Sequence, residues 1–151
     1  MNSIRRRLAA GAAAALCMSL APAFAGSDVE IRDAWVRATV PGQPVAGAYL
    51  TVESQSSARL LSVRSEIARA VEIHEMSSTD GIMRMRRLES VDLPAGREIR
   101  LAPGGVHLML LDLRHPLRAG EQIELDVVTA AAGEEPKTTR VRALVRKETP
   151  R

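Results

Sequence analysis

From Pro41 onward, turn signals interrupt this chain at intervals of roughly 8–12 residues, the spacing of a sandwich or barrel built from short strands. They are PGQP at 41–44, STDG at 78–81, PAG at 94–96, PGG at 103–105, RAGE at 118–121 and AAGEEP at 131–136. The stretches between them are β-patterned, and strands are predicted over residues 29–39, 48–53, 60–63, 70–76, 82–88, 99–101, 106–113, 123–128 and 139–145. No long amphipathic helix finds a place. Residues 68–76 could be drawn as one, but Val71, Ile73 and the β-rich flanks favour a strand. There is no internal repeat, low-complexity block or linker that points to a second domain. The fold class expected is all-β, an antiparallel sandwich or barrel.

The first 25 residues have a different character. Arg5, Arg6 and Arg7 precede an Ala- and Leu-rich run that ends in Ala23-Phe24-Ala25 before Gly26. A basic start, a short apolar run and an A-x-A site make a secretory signal peptide, cleaved after Ala25. The run falls short of the about 20 residues that span a bilayer, so no membrane span is expected after cleavage. Cys17 could suggest a lipoprotein, but Leu16 sits where such a site wants a small residue. The arginines leave export open between the general and twin-arginine routes.

Cleavage changes the accounting. Three arginines and no acids lie in the signal, so residues 26–151 carry 18 basic and 18 acidic side chains, and the basic balance belongs to the export signal. Nothing global then argues for nucleic acid or an anionic surface. Cys17 leaves too, so neither disulfides nor a thiolate ligand are available in an oxidising compartment. One domain, 26–151, has length enough for its own core, and that core must be aliphatic because only Trp35 and Tyr49 remain as aromatic residues.

The chemistry gathers in two places. HEMSSTDGIMRM at 74–85 holds His74, Met76, Met83 and Met85; PGGVHLML at 103–110 holds His107 and Met109. Those are all four methionines and two of the three histidines beyond the signal. With a four-residue loop at 78–81, the hairpin pairs His74 with Met85 and Met76 with Met83. If the turn is Asp80-Gly81 alone, Met76 faces Met85 instead. Either register keeps the four on one strand face, with Glu72, while Val71 and Ile73 point to the core. His107 and Met109, two apart, share a face of another strand, and Gly104-Gly105 leave its entrance uncrowded. Imidazole binds several first-row metals, thioether sulfur selects soft ions, and blue-copper electron transfer needs a cysteine. Two histidines with methionines and no cysteine point to Cu(I).

The other side chains suggest little chemistry. His115, before Pro116, reads as a surface turn residue; Arg84, Arg86 and Arg87 read as a solvated face; Trp35 reads as a core or rim anchor. No serine–histidine–acid set, phosphate loop or poised carboxylate pair is present, so the chain is not expected to be an enzyme.

In these residues the sequence resembles the periplasmic PCu(A)C copper chaperone family. Its pattern is a histidine, ten residues, a methionine, twenty-one residues and His-x-Met, and His74, Met85, His107 and Met109 fit each interval. VEIHEM, GIMRMR, LAPGGVHLMLLDL and AWVRATVPGQPVAGAYLTVES are also similar to the family. The resemblance implies a cupredoxin-like Greek-key β-barrel in the periplasm, a monomer that binds one Cu(I) per chain through His74, Met85, His107 and Met109. It implies delivery towards the CuA centre of cytochrome c oxidase, with a CuA-bearing oxidase subunit or a Sco-type copper protein as partner. Met76 and Met83 fall outside the pattern, and the tail RKETPR lacks the histidines and methionines that extend some members. Two alternatives stand beside this: a periplasmic copper buffer for tolerance without a dedicated acceptor, and a metal-free β-sandwich interaction module.

Overall fold

A computed structural model describes residues 28–147, which form ten strands and no helix. These are β1 (Val29–Arg37), β2 (Val45–Ser54), β3 (Ala58–Arg64), β4 (Ala68–Thr79), β5 (Ile82–Leu88), β6 (Val91–Leu93), β7 (Glu98–Leu101), β8 (Val106–Leu113), β9 (Gln122–Ala131) and β10 (Lys137–Arg146). The signal peptide and its cleavage point lie outside the described residues. The strand expected at 29–39 ends at Arg37, and those at 82–88 and 106–113 run as expected. β6, only three residues long, carries no pattern of its own and had no sequence signal.

Alternation decides which face is buried. In β2, Ala46, Ala48, Leu50 and Val52 face the core, and so do Leu108 and Leu110 of β8 and Ile73 of β4. Leu60, Leu93, Leu101, Leu117 and Leu125 complete a core that is wholly aliphatic, as expected. Each such leucine stabilises the fold by about 1.5–3 kcal/mol through burial. Trp35 and Tyr49 are also buried but lie outside this cluster, on the other face of the sheet.

The strands run in the order β5-β4-β8-β2-β1-β10-β9-β3-β6, with β7 paired to β2. β1 and β10 are parallel, and every other strand pair is antiparallel. Residues 91–101 turn the sheet back on itself: β6 pairs with β3 at one end of the path, then β7 pairs with β2 near its middle. The turn between them is pinned by the Gly96 N–H, which donates to the Ser54 carbonyl at 2.7 Å. This is the cupredoxin-like arrangement.

The β4–β5 register corrects the first of the two expected pairings. Thr79 pairs with Ile82, Met76 with Met85, and His74 with Arg87. Asp80 and Gly81 both have positive φ, 54° and 74°, so the turn is a two-residue one whose twist suits the flanking strands. The four-residue loop would have left Ser78 and Thr79 in the turn and paired Ile82 with Ser77.

Candidate metal centre

On the face away from the core, one row of side chains crosses five adjacent strands. Arg87 on β5 opposes His74 on β4, His74 opposes His107 on β8, and Tyr49 on β2 opposes Trp35 on β1. The ring centroids of His74 and His107 are 6.2 Å apart, those of His107 and Tyr49 6.4 Å, and those of Tyr49 and Trp35 4.3 Å. A bulge puts Trp35 in this row. Asp33, at φ 52°, adds one residue to β1 between the Arg32–Thr51 and Trp35–Tyr49 pairs, which turns Trp35 outward.

The two histidines differ in surroundings, but each has one ring nitrogen turned to an outer acceptor. His107 is buried, and its Nδ1 lies 2.9 Å from the Gly105 carbonyl oxygen. A carbonyl only accepts, so Nδ1–H donates and the lone pair resides on Nε2. The Gly105 oxygen also accepts from the Met76 N–H at 3.1 Å, which ties the ring of His107 to β4. His74 Nε2 lies 2.8 Å from Glu72 Oε2. The hydrogen bond from His74 holds the Glu72 carboxyl below the usual carboxylate range; partial burial opposes this, and the charges of Arg87 and His74 assist it. Arg87 also reaches Glu72 Oε1 at 3.1 Å. The ionised carboxylate only accepts, so Nε2–H donates, and in the neutral ring the lone pair of His74 resides on Nδ1. That nitrogen is buried and has no hydrogen-bond partner among the described residues.

Each imidazole is oriented by an outer acceptor through one ring nitrogen, and in its neutral form keeps one unspent lone pair on the other. This is how metal-ligating histidines are held. Met109 follows His107 on the same face, opposite Glu72 on β4 and Gly47 on β2. Met85 shares the face from β5, one pair beyond His74, and is 48% exposed. The structure therefore brings His74 and His107 directly together and flanks them with Met109 and Met85. Among the described residues, no three His, Asp or Glu side chains are placed to hold one ion. Thioether sulfur, which Met109 and Met85 offer beside the histidines, selects soft ions.

His115 stands apart and is exposed, its Nδ1 directed to the Pro116 carbonyl at 3.1 Å, as expected of a surface turn residue. Arg84, Arg86 and Arg87 are exposed too, but Arg86 and Arg87 are spent on Glu75 and Glu72. Sequence reasoning placed Glu72 on the right face and gave it no role. Its position two before His74 was the available signal. It read Gly105 only as room at the strand entrance, and nothing in the sequence marked its carbonyl as the acceptor for His107.

Comparison with known proteins identifies the family and the fold. A family model described as "Putative lipoprotein LpqE-like" matches residues 29–141. A protein of Leifsonia xyli subsp. xyli named "Putative lipoprotein Lxx21020" is 31% identical over 105 residues, which cover 69% of this chain and 63% of that protein's own length. Among solved structures, the copper-bound PCuAC domain from PmoF2 matches with a TM-score of 0.64 and 26% identity, over 80% of this chain and 94% of that one. The solution structure of CuI-DR1885 from Deinococcus radiodurans matches with a TM-score of 0.59 and 25% identity, over 76% of this chain and 75% of that one. The chain belongs to the LpqE-like family, built on the fold of the PCuAC domains.

Proposed function

We propose that this protein is a periplasmic Cu(I) chaperone that binds one ion through His74, Met85, His107 and Met109 and delivers it for assembly of the CuA centre of cytochrome c oxidase. The observation that carries the reading is the histidine pair: two opposed imidazoles, with a buried Nδ1 on His74 that has no partner among the described residues. An orphaned buried acceptor beside a second free imidazole costs stability unless a ligand uses it. The likeness to a copper-bound PCuAC domain and to the Cu(I) form of DR1885 supports copper as the cargo.

The ligand set suits a carrier outside the cytoplasm. It needs no thiolate, so it keeps working where thiols oxidise, although methionine can itself become the sulfoxide. Met85 sits exposed on the outermost strand, where an acceptor's ligand can join the ion before this sulfur leaves. Transfer is then ligand exchange, with no change of oxidation state and no chemical turnover. In this reading residues 1–25 direct export and are cleaved, residues 26–151 act as a monomer, and the acceptor is the CuA-bearing oxidase subunit or a Sco-type copper protein.

The test mixes the Cu(I)-loaded protein with a metal-free CuA domain and a metal-free Sco-type protein. Copper appearing on either acceptor, together with loss of oxidase activity when the gene is deleted, is the expected result. Copper that stays put, with deletion causing only copper sensitivity, would replace delivery by buffering.

A further inference from the structure

Three of the four methionines of the described chain lie together on one hairpin, and only one of them belongs to the set proposed above. Met76 directly opposes Met85, and Met83 is the next residue along β5 on the same face, opposite Ser78. Directly opposed side chains have β-carbons about 4.5–5.5 Å apart, and diagonal neighbours about 7–8 Å, within reach of a side chain as long as methionine. Met83 is 59% and Met85 48% exposed, and none of the three belongs to the core cluster. Packing therefore does not explain them. Strand propensity does not either, because β-branched and aromatic residues fill strands best.

Along β5, Met83 and Met85 share one face with Arg87, while Arg84 and Arg86 take the other with Ile82. Ser78 is the closest polar neighbour of the sulfurs in register, and the carboxylates of Glu72 and Glu75 are held by Arg87 and Arg86. This is a thioether surface on the edge strand of the sheet, and the carboxylates nearest to it along β4 are already held by arginines.

We infer that Met76, Met83 and Met85 form a second, thioether-only site for a soft monovalent ion, which loads the histidine-centred site. The loading role rests on the proposed function; the site itself does not. Three uncharged sulfurs suit Cu(I) or Ag(I) and offer calcium, magnesium or zinc nothing they prefer. The two sites share Met85. Met76 lies two residues from His74 on the same strand face, about 7 Å along β4. In the relay, the sulfur of Met85 stays on the ion while the nitrogens of His74 and His107 and the sulfur of Met109 bond to it. The sulfurs of Met76 and Met83 leave, and no electron or proton moves.

The experiment titrates the full chain with Ag(I), which does not change oxidation state, and follows the methionine methyl groups by NMR. The first equivalent is expected to move Met85 and Met109, and a second, weaker one, held by the two remaining sulfurs once Met85 is engaged, to move Met76 and Met83. Met76→Leu with Met83→Leu, close in volume and therefore still folded, is expected to abolish the second equivalent and leave the first intact. Met76 and Met83 methyls that stay still at saturation, or a double variant that keeps both equivalents, would overturn the inference. His107→Ala separates the two readings: it should remove the first equivalent while the hairpin methyls still respond. If it changes nothing and the hairpin methyls respond, the thioether site stands and the histidine-centred assignment falls.

Discussion

His74 and His107 face each other across β4 and β8 with ring centroids 6.2 Å apart, and each is fixed by a different kind of acceptor. Glu72, a side chain, holds one ring; the Gly105 carbonyl, part of the backbone, holds the other. Mutation can therefore reach the orientation of His74 through Glu72, whereas that of His107 is built into the β8 turn.

Glu72→Gln keeps the shape and removes the charge. Loss of an outer partner of a metal-ligating histidine costs about 10–100-fold in affinity, and that drop is expected for Cu(I) under a competing chelator. The same variant has a signature without metal. The folded-state pKa of Glu72 is lowered, so its contribution to stability is present above the usual carboxylate range, about 4.3 for glutamate, and is lost as pH falls through the lowered value. Thermal unfolding from neutral to acid pH should show a shallower acid decline in Glu72→Gln than in the parent.

Gly47→Ala tests the aromatic end of the row. A β-carbon there would collide with the hydroxyl of Tyr49, whose ring folds back over Gly47. Tyr49 is buried against Trp35 at 4.3 Å, so it has little room to give. The expected outcome is a changed Trp35 fluorescence spectrum and a lower unfolding temperature, with weaker Cu(I) binding because Gly47 opposes Met109. An unchanged spectrum would mean that the ring moves freely.

Leu108→Ala removes a fully buried side chain directly behind the site, between His107 and Met109. Large-to-small changes of this kind cost about 2–5 kcal/mol, which urea unfolding of the metal-free protein would measure.

Arg140→Gln probes the far side of the sheet. Arg140 Nε and Nη2 bond to the two oxygens of Asp126 at 2.7 and 3.0 Å, and this hydrogen bonding holds the Asp126 carboxyl below its ordinary range. The pair stabilises above that range, near about 3.9 for aspartate, and stops doing so once the pH falls through the lowered value. The variant should unfold at a lower temperature than the parent at neutral pH, with the gap closing in strong acid. A gap that persists there would point to lost packing by the arginine stem.

The β-pattern and the metal-binding candidates were legible for one reason: alternation and turn residues are local. Ile73, Leu108 and Leu110 announce the buried face, and His74, His107 and Met109 follow on the other by parity. The pairing of His74 with His107 was not legible, because it depends on β4 and β8 being neighbours, and no local signal states which strands pair. The register of the hairpin was open for a related reason. STDG accommodates both a four-residue and a two-residue loop, and the positive φ of Asp80 decides it. The bulge at Asp33 that turns Trp35 outward had no glycine to mark it.

In the proposed centre, two imidazoles and two thioethers hold one Cu(I) tightly. Titration under a competing chelator, with the parent beside His107→Ala and Met85→Leu, tests it most directly. One tight equivalent in the parent, lost in His107→Ala and weakened in Met85→Leu with the fold intact by circular dichroism, is the predicted result. Tight binding that is the same in all three proteins would contradict it.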